Sequence, residues 1–325
     1  MYVFSYTYLI TMNYPICTIF GGGGFIGKYL IRHLSSKNYR CVIPTRKPFQ
    51  KGYLKTQATP GSIELIDFNP GNFSAIENAI RNSDFVINLV GILFENRRQK
   101  FNSIHVDLPE MITKICAKSG VKKYIHISAI GANKDSKSKY QRTKYLGEDI
   151  SLKNFKNTVV LRPSLVVGPE DGSTNLFAKL SILPIIPLVN KKYKFQPIFV
   201  NDVAKSILKS IEIKKNEGKI YELGGPKIIS FEDLVKSVCE NIGKKRFIIN
   251  MPSKIAKIQS QILNLLPMDP LLTVDQCEIL TEGDNIVSTN FLKIQDLNVT
   301  PIDIEKKMSE WLVRYRPSGQ FFKNK

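Results

Sequence analysis

Histidine, tryptophan and acidic side chains are all scarce in this chain of 325 residues. It has three His, one Trp, and 28 Asp plus Glu against 47 Lys plus Arg, a formal charge of +19. His33, His105 and His126 stand far apart with no ligand spacing, so no metal site is expected. The five cysteines, Cys17, Cys41, Cys116, Cys239 and Cys277, include no Cys-x-x-Cys pair. That pattern excludes a disulfide framework and fits buried free thiols in a reducing compartment. No run reaches the roughly 18 apolar residues that a spanning helix needs. The cations lie in short dispersed clusters such as "ENRRQK", "NKKYK" and "GKKR". With no nucleic-acid motif beside them, nucleic acid is not an expected partner. A solvated Lys-rich surface, or a face resting on an anionic membrane or acidic partner, both fit the charge.

The opening "MYVFSYTYLITM" lacks a basic flank and a small-residue cleavage site, so it makes a poor signal peptide. Residues 1–14 are expected to form an N-terminal extension, with the start at Met1 or Met12.

What the chain does have is a run of four glycines between an apolar strand and an amphipathic helix, "ICTIFGGGGFIGKYLIRHL". The apolar "PICTIF" reads as a buried strand. Phe25, Ile26, Tyr29, Leu30 and Leu34 follow at helical spacing. Strand, glycine turn and helix together suit a dinucleotide: Gly21, Gly24 and Gly27 allow a tight turn, close approach to a pyrophosphate, and packing of helix on strand. The helix N-terminus then presents N–H groups to the phosphates. Further strands are expected at 40–46, 62–68, 84–93 and 122–131, with helices at 73–82 and 106–120. Strands alternating with helices predict a doubly wound parallel sheet. The second strand ends in "PTRKP" with Arg46 and Lys47 and no carboxylate, which suits a 2′-phosphate and favours NADP(H) over NAD(H); a plain surface Arg is the alternative. Asp67 is placed to reach an adenine amino group or to cap a turn.

After the strand ending "HISAIGA", "SKYQRTKYLGED" supplies Tyr140-x-x-x-Lys144. Four residues apart on a helix, the two share a face. Lys144 is expected to lower the Tyr140 phenol and hold the nicotinamide ribose, and Ser128 to bind a reacting carbonyl or hydroxyl. These three are the candidate catalytic residues.

"GGGGFIG", "HISAIGA" and "YQRTK" together resemble the short-chain dehydrogenase/reductase superfamily, in its extended or atypical branch. "LRPSLVVGPED" and "FQPIFVNDVAKSI" are similar to its later segments, whereas Phe20 stands where epimerases commonly carry Thr. "DPLLTVDQCEILTEGDNIVS" and "WLVRYRPSGQF" resemble the dehydrogenase-like accessory subunit of respiratory complex I and its bacterial relatives.

That resemblance implies a Rossmann domain over 15–168 and a smaller C-terminal α/β substrate domain over 169–325, with a segment near 195–210 returning to the first. It implies nucleotide contacts from Gly21, Gly24, Phe25, Ile26, Gly27, Arg46, Lys47, Asp67, Phe68, Leu89, Val90, Gly91, Tyr140, Lys144 and Pro163. It also implies tightly bound NADPH and a place on the peripheral arm of complex I. The location would be the cytoplasmic inner face of the inner membrane, or the matrix side in an organelle. An active NADP-dependent reductase or epimerase, in ubiquinone or isoprenoid-related metabolism, is the alternative. In the C-terminal third, "SFEDLVKSVCENIG" reads as a Ser-capped helix stopped by Gly243. "PSKIAKIQSQILNLLP", with Ile255, Ile258, Ile262, Leu265 and Leu266 apolar and Lys254 and Lys257 outside, reads as a basic amphipathic helix that packs on its own domain or docks elsewhere.

Overall fold

The computed structural model describes residues 14–263, 270, 272–317 and 319–321. Its centre is an eight-stranded sheet built from β1 (Ile16–Phe20), β2 (Arg40–Thr45), β3 (Ile63–Asp67), β4 (Phe85–Asn88), β5 (Lys123–Ile127) and β6 (Thr158–Pro163), joined by β11 (Ile220–Leu223) and β14 (Leu292–Lys293). The order is β3-β2-β1-β4-β5-β6-β11-β14, and every pairing is parallel. Parallel sheets bury both faces, which is why "KYIHI" in β5 is buried at every position. The expected doubly wound sheet is present.

Helices cover both faces. On one side, α1 (Phe25–Ser36) packs with α6 (Val200–Glu212), and Leu30, Ile31 and Leu34 meet Val203, Ala204 and Ile207 in one core cluster. Full burial of each such Leu, Ile or Val side chain contributes about 1.5–3 kcal/mol. On the other, Ile76 and Ile80 of α2 (Phe73–Ile80) and Ile112 and Ile115 of α3 (Leu108–Cys116) pack with Phe20 and Tyr124. Next in the chain comes α4 (Lys139–Asn154).

The remaining chain forms short strands β7 (Val166–Val167), β8 (Ile185–Val189), β9 (Lys194–Phe195), β10 (Ile198–Phe199), β12 (Ile229–Ser230) and β13 (Phe247–Met251), and helices α5 (Ser173–Leu180), α7 (Phe231–Asn241), α8 (Ser253–Leu263), α9 (Val274–Glu282) and α10 (Ile304–Leu312). A separate core of Phe177, Val235, Val238, Met308 and Trp311 ties α5, α7 and α10 together. The Ser230 hydroxyl caps α7 by accepting from Asp233 N at 3.1 Å. Through α6, β11 and β14, the chain beyond residue 169 returns to the large sheet more than once.

Some boundaries differ from the expectations. The strand expected over 84–93 ends at Asn88. There the Asn88 carboxamide accepts from Val90 N at 3.0 Å and turns the chain across the glycine loop. The helix expected from residue 106 begins at Leu108, after a wider π turn over Ser103–Asp107. α8 is described to Leu263; Leu265 and Leu266, like residues 1–13, lie outside the described residues. All five cysteines are free and buried. Among the described residues, no helix is long and apolar enough to cross a membrane.

Candidate functional site

In a doubly wound sheet the binding crevice opens where the strand order reverses, here between β1 and β4. The glycine turn sits at that point. Gly21 has φ +79°, and a Cβ there would meet the Leu89 carbonyl carbon and Val90 N at 3.1 Å. A side chain is therefore excluded by backbone conformation and by space. A Cβ on Gly27 would lie 2.1 Å from the Gly22 carbonyl oxygen, so the third glycine is what lets α1 reach the turn. Gly24 is the N-cap of α1, with no side-chain cap and no acidic residue in the first turn. The first-turn N–H groups of Phe25, Ile26 and Gly27 have no intrahelical acceptor. This cradle fits a pyrophosphate.

On the far side of the turn, Thr45 pairs with Asp67, so β2 and β3 end side by side. Arg46, Lys47 and Asp67 are exposed there. Asp67 accepts from Phe68 N at 2.9 Å, and the Phe68 ring packs edge-on to Phe20 at 5.3 Å. One cation missed in the sequence reaches the turn itself: Lys51 donates to the Gly23 carbonyl at 3.1 Å. It lies in a 3₁₀ segment, Phe49–Gln57, whose weak apolar pattern gave no signal.

On the near side, Leu89, Val90 and Gly91 follow β4, and Pro163 closes β6. Lys144 is buried, donates to the Ile127 carbonyl at 3.1 Å, and lies against Gly91, where a Cβ would sit 3.2 Å from its Nζ. Its ammonium stands 5.9 Å from the centre of the Tyr140 ring. Ser128 directly follows β5, next to the carbonyl that Lys144 binds. Its Oγ is buried without a hydrogen-bond partner, and so are Asn88 Nδ2 and the neighbouring His126 Nε2. Burial raises the nearby Glu148 carboxyl, against the opposing pull of Arg162 and a smaller one from Ser128. A buried hydroxyl with nothing to bind is costly, and a ligand oxygen would relieve it. Ser128, Tyr140, Lys144 and Gly91 are thus brought to one end of the crevice. Arg46, Lys47 and Asp67 lie at the other.

The electrostatics correct one expectation. Burial, with Asp275 adding to it, pushes the Tyr140 phenol up to about 12, although part of the ring stays accessible; Lys144 does not bring it down. The reason is that burial dominates both groups: the ammonium that would favour a phenolate is itself depressed to about 8, with Glu148 opposing that shift. Glu148 lies one turn beyond Lys144 and forms a buried fork with Arg162, Nε–Oε1 2.9 Å and Nη2–Oε2 2.6 Å. The Glu222 carboxylate is 3.6 Å from the same guanidinium. His105 was also missed. Its Nε2 accepts from Ile92 N at 3.2 Å, its Nδ1 meets Thr143 Oγ1 at 3.0 Å, and its ring lies edge-on to Tyr140 at 5.4 Å. Burial lowers it to about 2, so it is a neutral spacer between the loop after β4 and α4.

The sequence profile of the NAD dependent epimerase/dehydratase family matches residues 17–224, which span both ends of this crevice. The chain belongs to that family. Among its relatives, the NADH dehydrogenase (ubiquinone) 1 alpha subcomplex subunit 9, mitochondrial, of Dictyostelium discoideum is 31% identical, over 94% of this chain and 86% of that protein. The protein of the same name from Mus musculus is 29% identical over 93% and 80%. A solved Thermus thermophilus UDP-glucose 4-epimerase in complex with NAD superposes with TM-score 0.67 at 16% identity, covering 93% of this chain and 99% of that chain. The extended short-chain dehydrogenase resemblance and the Rossmann-like sheet are borne out. So is the likeness to a complex I subunit.

Proposed function

We propose that this family member is an accessory subunit of respiratory complex I that holds NADP(H) chiefly as a structural ligand. The observation that carries the reading is the reach of the likeness. The Dictyostelium relative aligns over 94% of the chain, well past residue 224 where the general family profile stops, so the arm after β11 belongs to the match. Arg46 and Lys47, exposed just beyond β2 with no carboxylate among them, support the 2′-phosphate form of the nucleotide. The proposed setting is peripheral, on the inner face of the inner membrane or the matrix side of an organelle. A ligand bound only by the native chain stabilises it, by about 2.7 kcal/mol at a hundredfold excess over Kd.

In this reading, Gly21, Gly24 and Gly27 admit the phosphates to the amino end of α1, Lys51 steadies the turn, and Lys144 holds the nicotinamide ribose beside Gly91. The nicotinamide, when bound, supplies or accepts hydride. Tyr140 keeps its proton at neutral pH because burial raises it to about 12. Gentle detergent extraction tests the proposal: the tagged chain should comigrate with complex I and retain NADPH through purification. Migration as a free species with rapid nucleotide exchange and fast turnover would overturn it.

A second reading, an active NADP-dependent reductase or epimerase, is favoured by the orphaned Ser128 hydroxyl. Ser128 Oγ would orient a carbonyl, and Tyr140 Oη, being protonated, would donate to its oxygen. Tyr140→Phe should then abolish turnover and spare nucleotide binding; unchanged turnover would remove Tyr140 from that role.

A further inference from the structure

α4 carries Tyr140 and Lys144, yet it has no acidic residue in its own first turn. The compensation comes from the far end of the chain. Asp275, in the first turn of α9, accepts from Ser138 Oγ at 2.7 Å, from Lys139 N at 2.6 Å and from Tyr140 N at 3.2 Å. Ser138 in turn caps α4, accepting from Gln141 N at 3.2 Å. At the other end of α9, Glu282 accepts from Ser136 Oγ and, at 2.5 Å, from Lys137 N. Two carboxylates thus accept from the Ser136 and Ser138 hydroxyls and from the backbone N–H groups of Lys137, Lys139 and Tyr140, and complement the positive end of the α4 dipole.

The same arm continues along the carboxyl ends of the strands. Asn285 accepts from Ser164 Oγ at 2.6 Å and donates to the Ile130 carbonyl at 3.3 Å. Val287 N then donates to Gln196 Oε1 at 3.0 Å, and Ser288 N to Glu222 at 2.7 Å. Residues 274–288 therefore form a strap stitched across the ends of β5, β6 and β11, anchored on the helix that bears Tyr140 and Lys144.

We propose that Asp275 and Glu282 are positioning residues for the nicotinamide end of the nucleotide site, the strap they anchor fixing where Tyr140 and Lys144 stand. This rests on the nucleotide reading above. Neither residue touches the glycine turn, so their effect should be confined to one half of the ligand. Charge-assisted hydrogen bonds to backbone donors are among the stronger ones, and Asp275→Asn removes the charge and one acceptor.

The test uses the full chain, with NADPH and adenosine 2′,5′-diphosphate as probes, the second lacking the nicotinamide half. Asp275→Asn should speed hydrogen exchange at the amides of 139–141. It should weaken NADPH about tenfold and leave adenosine 2′,5′-diphosphate within about twofold, with Asp275→Glu restoring most of the loss. Equal weakening of both probes, or of neither, would reduce the strap to a general stabiliser and overturn the proposal. So would unchanged exchange. If wild type binds neither probe, the nucleotide reading fails and takes this proposal with it; if wild type binds NADPH and the variant binds it equally, only the strap's role fails. Should Asp275→Asn misfold, Glu282→Gln, which loosens 136–137 from the other end of α9, is read by exchange at the Lys137 amide and by the same two probes.

Discussion

Two buried imidazoles make this protein acid-labile by a calculable amount. His105 is lowered from its ordinary value near 6.5 to about 2, first by burial and then by Lys144, and His126 to about 3 for the same reasons. Both are almost wholly inaccessible, at 1% relative exposure each. In the unfolded chain each takes up a proton below its ordinary value, whereas in the native state neither does until far lower. The unfolded state therefore binds more protons, and stability falls as pH falls from about 6.5. Between pH 7.5 and 5.5 the loss is about 1.4 kcal/mol per histidine, about 3 kcal/mol for the pair. The carboxylates that salt bridges and hydrogen bonds hold low, Asp84, Glu95, Glu282 and Asp303, exert their own acid effect only below their ordinary values, outside this window. Urea unfolding at the two pH values measures the difference. His105→Gln and His126→Gln should each remove about half of it. A variant lacking both imidazoles that loses as much stability as wild type would refute the assignment.

Gly147→Ala places a Cβ 1.9 Å from the His105 carbonyl oxygen. Because the obstacle is backbone, α4 must shift, and a loss of about 3 kcal/mol or more is expected in thermal or urea unfolding. Glu148→Gln removes the charge from the buried fork with Arg162 and leaves that guanidinium Glu222, at 3.6 Å, as its carboxylate partner. A loss of about 3–5 kcal/mol should follow, partly recovered when Arg162 is also replaced by Met. Gly27→Ala drives a methyl into the Gly22 carbonyl and should weaken NADPH by more than about tenfold in a fluorescence titration. With Lys144 depressed to about 8 by burial, its charged form is lost as pH rises through that value. NADPH affinity should therefore decline above about pH 8, and the decline should vanish in Lys144→Met.

Much of the nucleotide end was legible because it depends on local backbone geometry. Three glycines at 21, 24 and 27 between an apolar strand and an amphipathic helix leave few alternatives, and the structure gives Gly21 and Gly27 a steric reason. The periodicity of α1 and α7 was equally readable, since their apolar faces repeat at helical spacing. Strand ends were less so. "VINLVGIL" looks like one continuous apolar strand, but the Asn88 carboxamide ends it early by offering the next turn an acceptor. The Tyr140 phenol was misjudged because a motif names its neighbours and not its desolvation.

Local order carried the alternation of strands and helices, the glycine turn and the Tyr-x-x-x-Lys spacing, all of which depend on residues within a few positions of one another. Only the tertiary structure decided that α4 is capped by carboxylates from α9, more than a hundred residues away, and that His105 separates Tyr140 from the loop after β4. It also decided that Lys144 and Tyr140 are both governed by burial. Those are properties of distance through space and of local dielectric, and a linear order of residues carries neither.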